Sequence, residues 1–324
     1  ATARYKASII PESSSAALTD LTGGFGIDCS FLATGFKSAT YVERQEELCE
    51  IAAHNFPILH LNHINVRNED GVAYLQTMSP VDCIFLDPAR RNEHGGKTVS
   101  IADCEPNVAE LEDLLLSKAS RIMIKLSPML DLSLALKELK HTQEVHILSV
   151  NNECKELLIL LGQTSPAEIT IHCVNLFTKG TQEEQHFVFT REQEQRSQCT
   201  YTDSLGDYLY EPNASLLKAG AFRSIAAAYP VRKLHPNSHL YTSDTFIENF
   251  PGRIFRIVNQ CSFNKKEVKE NLADLKKANV TVRNFPATVA ELRKRLHLTE
   301  GGDTYLFAST LNNGQKVIIR CEKV

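Results

Sequence analysis

The 324 residues contain no Cys-x-x-Cys pair, no internal repeat or low-complexity stretch, no signal-peptide pattern and no long apolar run. Each absence excludes a class of protein. A membrane-spanning helix needs about 18–20 consecutive apolar residues, whereas the longest apolar stretch here, "LLILLG" from Leu157, has the length of a buried strand. Nine cysteines, an odd number with no paired spacing, fit reduced thiols in a cytoplasm better than a disulfide framework or a zinc site. As single residues they read as small buried hydrophobes. His54, His60 and His63 cluster in "HNFPILHLNHINV", but no Cys or carboxylate stands at ligand spacing, so no metal is expected. The chain also lacks an initiator Met and opens mid-pattern at "ATARYKAS", so an upstream segment is expected.

What is present is ample for a core: 43% of residues are hydrophobic, and the length suggests about two domains. The net charge of −4 conceals a division. From Gly220 onward there are 17 Lys and Arg against 9 Asp and Glu, and before it 18 against 30. A basic C-terminal module beside an acidic remainder points to a polyanionic partner, although a lysine-rich solvated surface has the same composition.

Through the first half, β-branched and apolar segments alternate with amphipathic ones. "AALTDLT", "SATYVE", "HINVRNED", "VDCIFLDPA" and "RIMIKLSP" read as strands. "IDCSFLAT", "RQEELCEIAAHNF", "GVAYLQTM", "PNVAELEDLLLSKA" and "LDLSLALKELK" read as the helices between and after them. "EVHILSV" and "KELLILLG" form a strand pair, and "EITIHCVNL" and "QHFVFT" follow. Such alternation implies an α/β fold with a doubly wound, mostly parallel Rossmann-like sheet. The near-continuous apolar strands agree, because they are covered on both faces. "REQEQRSQCTYTDS" reads as a boundary loop. The tail reads as a smaller α+β domain: "GRIFRIVN", helix "KKEVKENLADLKKA", "VTVRNF", helix "TVAELRKRLH", then a hairpin of "TYLFAST" and "KVIIRCE".

Ligands of open parallel sheets sit beyond the carboxyl ends of the strands. Asp20, Thr22, Gly23, Gly24 and Gly26 of "DLTGGFGID" fall there, after the first strand. A dinucleotide fingerprint needs a third Gly or Ala where this chain has Cys29, and a phosphate loop needs Gly-Lys-Ser/Thr, which is missing. An acid at the strand end favours a cationic ligand such as S-adenosylmethionine over a pyrophosphate. Glu43 closes the second strand, placed to accept both ribose hydroxyls through charge-assisted bonds of about 1.5–3 kcal/mol each. Asp70 closes the third, placed to accept from an adenine amino group, with Gly71 leaving room for the base. Each acid alone also suits a turn or a helix cap.

The fourth strand ends in "FLDPARR". Pro88 ends the strand and holds Asp87 extended, presenting its carboxylate at the cleft mouth. There it can hold an amino, amide or hydroxyl nucleophile in line with a methyl donor, and such alignment lowers a barrier by up to about 7–11 kcal/mol. Arg90 and Arg91 are candidates to grip a substrate phosphate, and Lys125 sits at the tip of the fifth strand. "EHGGKTVS", residues 93–100, reads as a lid or an ordinary exposed loop.

With "DLTGGFGID", "YVE", "NEDG" and "FLDPARR", residues 1–195 resemble the class I S-adenosylmethionine-dependent methyltransferases. "YLYEPNASLLKAGAF" and "LRKRLHLTEGGDTYLFAST" resemble the bacterial members with a THUMP-like C-terminal domain. The resemblance implies a cofactor domain over residues 1–198, a connecting segment over 199–251 and a THUMP-like domain over 252–324. It maps Asp20, Thr22, Gly24 and Gly26 to the cofactor loop, Glu43 to the ribose, Asp70 to the adenine and Asp87 to the substrate side. THUMP modules of related enzymes bind RNA, commonly tRNA, which implies a structured tRNA or rRNA substrate, with Arg293, Lys294 and Arg295 as candidate phosphate contacts. Amino-methylating relatives carry Asp/Asn-Pro-Pro and an aromatic residue that stacks on the base. Ala89 and Arg90 stand in those places and speak against adenine N6 chemistry. The Asp-Pro-x-Arg order is nearer that of uridine C5 methyltransferases, which need a nucleophilic Cys; Cys154 is the nearest candidate. A small-molecule or protein methyltransferase, or a non-catalytic RNA-binding protein, also fits the residues.

Overall fold

Strand β1 (Ser13–Asp20) runs into the glycine loop, and α2 (Ile27–Leu32) leaves it, preceded in the chain by α1 (Thr2–Ser8). The alternation continues with β2 (Phe36–Glu43), α3 (Glu46–Ile58), β3 (Ile64–Asn68), α4 (Gly71–Thr77) and β4 (Val81–Leu86). A short pair, β5 (Ala89–Arg90) and β6 (Cys104–Glu105), precedes α5 (Val108–Lys118), β7 (Ala119–Leu126), α6 (Leu132–Glu138), β8 (Thr142–Val150), β9 (Glu153–Gly162), β10 (Thr170–Leu176) and β11 (Glu184–Thr190). The structure, a computed structural model, describes residues 1–10, 13–90, 100–164, 166–180 and 184–324. It divides into two units, Ala1–Arg191 and Glu192–Val324.

In the first unit nine strands form one sheet in the order β11-β10-β8-β9-β7-β4-β1-β2-β3. β1, β2, β3, β4 and β7 pair in parallel, while β9 runs antiparallel between β7 and β8. The insertion of β9 follows from its turn. Asn151 and Asn152 take φ of 50° and 67°, and two consecutive residues with positive φ make the tight hairpin that matches strand twist. Both sheet faces are covered: Cys83 and Phe85 of β4 join the cluster around Leu18, Leu32 and Met123. Ile84 and Leu86, on the opposite face by strand alternation, are also fully buried. This is the doubly wound, mostly parallel α/β fold.

α1 is an element the sequence reading did not assign, since seven residues that include Arg4 and Lys6 give no apolar periodicity. It packs on α2 and buries Lys6.

At the start of the second unit, α7 (Arg191–Arg196), whose first residue is the last of the first unit, forms inside the stretch read as a boundary loop. Glu194 explains why it is ordered: its carboxylate accepts from the backbone N–H groups of Phe222, Arg223 and Ser224. Then come β12 (Tyr208–Pro212), α8 (Ala214–Ala219), α9 (Ser224–Ala228), β13 (Arg232–Lys233) and β14 (Tyr241–Ser243). β15 (Gly252–Ser262), α10 (Lys265–Leu272), β16 (Asn279–Val282), α11 (Val289–Leu296), β17 (Thr304–Thr310) and β18 (Lys316–Lys323) complete the chain. They form a seven-stranded sheet, β13-β14-β12-β15-β18-β17-β16, around a core of Leu209, Phe255, Phe307 and Ile319. α10 ends at Leu272, short of the "ADLKKA" extension expected for it. Among the described residues no helix is long and apolar enough to cross a membrane.

Candidate functional site

The carboxyl ends of β1, β2, β3 and β4 open on a cleft of about 580 Å³. Thr22, Gly24, Glu43, Asp70, Gly71 and Asp87 line it, so acids closing β2, β3 and β4 share one hollow. Asp20 does not. It is 1% exposed and accepts the Thr22 N–H at 3.0 Å, so it shapes the glycine loop from behind. Burial pushes its carboxyl up to about 7.

The loop is fixed by its own chemistry. Gly24 and Gly26 take φ of +54° and +71°, which side chains other than glycine adopt poorly. Gly23 is required for packing, because a Cβ would fall 2.3 Å from the Tyr41 ring. The Tyr41 hydroxyl donates to the Gly24 carbonyl. Glu43 is 9% exposed and accepts one N–H on each carboxylate oxygen, from Gly24 and from Gln45, both at 2.9 Å. Each oxygen keeps a second lone pair. Glu43 thus positions the loop and still faces the cleft.

Asp70 caps α4, its Oδ1 accepting from Val72 and Ala73 at 3.0 Å. Gly71 lies on the cleft wall, and packing requires a glycine there. A Cβ there would sit 2.1 Å from the Leu21 carbonyl oxygen, so glycine lets α4 start against the end of β1.

Asp87 is joined to the glycine loop and to the interior. Its N–H donates to Thr22 Oγ1 at 2.6 Å, which ties the end of β4 to the end of β1. Its Oδ2 stands 2.5 Å from Lys125 Nζ. Lys125 also reaches Asp28 at 2.9 Å, Asp28 reaches Lys6 at 3.1 Å, and Lys6 reaches Glu156 at 2.6 Å. Charges therefore alternate from the cleft mouth to the N-terminal helix. Burial works against the Lys125 charge, but Asp87 and Asp28 overcome it and hold the ammonium above its usual range. Burial pushes the Asp87 carboxyl up, and Lys125 pulls it back only in part. Sequence reasoning named Lys125 and missed Asp28, Lys6, Glu156 and Tyr41. A lysine closing the apolar run "RIMIK" was a usable signal for a buried acid partner; Lys6 in a seven-residue helix offered none.

Pro88 is buried next to Asp87. Arg90 belongs to β5, where its backbone pairs with Cys104 of β6. Arg91 and residues 93–99 of the expected lid lie outside the described residues. On α11, Arg293 is paired with Glu300 at 3.1 Å, Arg295 stacks its guanidinium 4.1 Å over the Phe263 ring, and Lys294 is exposed. Exposed lysines 265, 266 and 269 of α10 add to this charge. Cys154 stands on β9 opposite Ser149 and is not among the cleft residues. None of the nine cysteines is in a disulfide. His54 and His60 are exposed, and His63 Nε2 lies 2.9 Å from the Ala33 carbonyl.

Along its whole length the chain is similar to a crystal structure from Porphyromonas gingivalis W83 of a protein described as a methyltransferase. Identity is 38% and the TM-score 0.89, with 100% of this chain and 80% of that chain covered. A ferredoxin-like domain model matches residues 208–251 and a THUMP domain-like model residues 252–323. The chain belongs to this family, the class I S-adenosylmethionine-dependent methyltransferases with a THUMP-like C-terminal domain. No curated protein matches the methyltransferase. An rRNA methylase of Streptococcus thermophilus (12% identity, TM-score 0.37) covers 50% of it and 94% of that chain. M. capricolum TrmK in complex with S-adenosylhomocysteine (14% identity, TM-score 0.39) covers 51% of it and 68% of that chain.

The cleft of the methyltransferase fits its cofactor on its own geometry. The volume lies within the roughly 300–1,000 Å³ of small-ligand sites. Five carboxylates, those of Glu43, Asp70, Asp87, Glu105 and Glu110, line this hollow, and they suit a ligand that carries two positive charges and a ribose diol.

Proposed function

We propose that this methyltransferase modifies structured RNA in the cytoplasm, with Asp87 holding the acceptor and the basic C-terminal domain docking the nucleic acid. One observation carries the catalytic part: Asp87 lines the cleft with its amide bonded to the cofactor loop through Thr22 and its carboxylate paired with Lys125. Bound in this cleft, S-adenosylmethionine supplies a methyl group on a sulfonium, a strong electrophile. What remains for the protein is chiefly alignment and exclusion of water. Glu43 is placed to take the ribose hydroxyls and Asp70 the adenine edge. Asp87 accepts a hydrogen bond from the nucleophile, and Lys125 keeps that carboxylate in one orientation.

The RNA assignment is supported by the excess of 17 basic over 9 acidic residues from Gly220 onward, by the THUMP-like match and by the exposed Lys294 and α10 lysines. Nine cysteines with no disulfide among them suit a reducing compartment. The test is transfer of labelled methyl from the cofactor to fractionated cellular RNA, protein and small molecules, with wild type beside Asp87→Ala. Label should enter RNA with wild type only, while both proteins bind cofactor alike. Label in protein or small molecules overturns the substrate class, and an active Asp87→Ala overturns the role of Asp87.

A further inference from the structure

On the far side of the sheet order from β1, strands β8, β10 and β11 bring Glu144, His146, His172 and His186 together. His146 and His172 are register partners on parallel strands, and their rings stack at 4.3 Å with planes 9° apart. The Nδ1 atoms of both rings are engaged on the outer side. His146 Nδ1 lies 2.8 Å from the Tyr5 hydroxyl of α1, and His172 Nδ1 lies 3.1 Å from His186 Nε2. The Nε2 atoms face one carboxylate oxygen: Glu144 Oε2 is 3.2 Å from that of His146 and 3.9 Å from that of His172. The three ligand atoms all lie within 4.8 Å of one another.

We infer that Glu144, His146 and His172 form a binding site for a divalent first-row transition-metal cation, with Tyr5 and His186 as its outer hydrogen-bond partners. Two imidazoles and one carboxylate select Zn²⁺, Co²⁺, Ni²⁺ or Fe²⁺ over Mg²⁺ and Ca²⁺, which prefer all-oxygen sites. Bonds of about 2.0–2.2 Å around such an ion put its ligand atoms roughly 3–3.6 Å apart; the 3.2 Å from Glu144 to His146 lies in that range, and the 3.9 Å to His172 must shorten. Convergence requires the His172 ring to rotate about its Cβ–Cγ bond out of the stack, toward Glu144 and the Nε2 of His146. His172 and Glu144 are partly exposed, which gives them freedom to move, while His146 is held in place by burial. A metal-ligating histidine characteristically donates its other ring N–H to a fixed acceptor, and the Tyr5 oxygen and His186 Nε2 stand where those acceptors are needed. A cation held here ties α1 to β8 and β10. The site is independent of the methyl-transfer reading.

The experiment is calorimetric titration of the chelator-treated full chain with Zn²⁺, repeated with Co²⁺ for its visible spectrum. Wild type should take up one ion per chain, with a higher melting temperature and a Co²⁺ absorption typical of nitrogen and oxygen ligands. Glu144→Gln, on an exposed side chain that leaves folding intact, and His172→Ala should each lose that uptake. Tyr5→Phe should weaken it about tenfold. No uptake by wild type, or equal uptake by wild type and both ligand variants, overturns the site.

Discussion

Glu43 has two duties at the residue scale, holding the glycine loop by its backbone N–H groups and presenting lone pairs to the cleft. Losing charge-assisted bonds of about 1.5–3 kcal/mol predicts that Glu43→Ala weakens cofactor binding by roughly ten- to a few hundredfold. Calorimetry with S-adenosylmethionine measures this, and unchanged affinity removes the ribose assignment. Asp20 makes a prediction of opposite character. Its carboxyl titrates at about 7 in the folded protein because it is buried. In the unfolded chain it titrates at about 4. Between those values the folded state keeps a proton that the unfolded state has released, so the stability from this residue is whole below about pH 4 and is lost as pH rises to about 7. Asp20→Asn keeps an acceptor for the Thr22 N–H and removes the titration. Relative to wild type, the variant should gain up to about 1.4 kcal/mol per pH unit across that window, measured by urea unfolding. A difference that stays flat with pH would falsify the raised carboxyl. The four acids at strand ends were all visible in the sequence, because strand tips are where turn residues and ligands meet. That Asp20 would be sealed off while the others shared a hollow was not visible, since alternation along β1 says which face a residue takes and not what covers it.

Elements rather than single residues decide how β1, β4 and α4 meet. The start of α4 touches the end of β1 so closely that a Cβ on Gly71 would overlap the Leu21 oxygen at 2.1 Å. Backbone cannot yield as a flexible side chain does, so Gly71→Ala should cost about 1–3 kcal/mol of stability in chemical denaturation and displace Asp70 with the helix. A variant as stable as wild type would show that α4 slides freely. The sequence made Gly71 conspicuous, but a glycine spared for a ligand and one spared for a neighbouring carbonyl look identical in one dimension. The N-terminal helix gives the opposite case, with no signal for an ordered role. Lys6, 1% exposed, balances both Asp28 and Glu156. Removing one partner of a buried ionic network leaves uncompensated charge and costs about 3–5 kcal/mol, which is the loss expected for Lys6→Met in urea unfolding. A loss below about 1 kcal/mol, the range of surface pairs, would mean that water reaches these acids. Long, strongly periodic elements such as α3, α5 and β7 were recognisable because periodicity accumulates over their length. Short α1 is held by the ion pairs of Lys6, and α7 by the bonds of Glu194 to the backbone of residues 222–224, partners that no local window contains.

The whole molecule carries its charge unevenly, and that asymmetry was legible from counts alone: 18 basic against 30 acidic residues before Gly220, and 17 against 9 after it. Which basic residues are available was not legible. Glu211, buried at the end of β12, takes up both Arg253 and Arg283, and Arg256, Arg293 and Arg320 each pair with an acid. Folding thus pairs much of the arginine charge with acids and leaves lysines such as Lys265, Lys266, Lys269 and Lys294 as exposed cations. Docking of RNA should accordingly be driven by counterion release, with affinity falling by roughly 0.7 log units per log unit of salt for each phosphate engaged. Replacing Lys294 and Lys269 by Glu should lower that slope by the increment of each lost contact while cofactor affinity stays as in wild type. Fluorescence anisotropy of the full chain on a labelled structured RNA, across a salt series, reads both the affinity and the slope. A slope near zero in wild type would leave the basic surface without a polyanion to meet and shift the substrate toward a small molecule or a protein. A steep slope unchanged by the two substitutions would place the RNA on other basic residues of the chain.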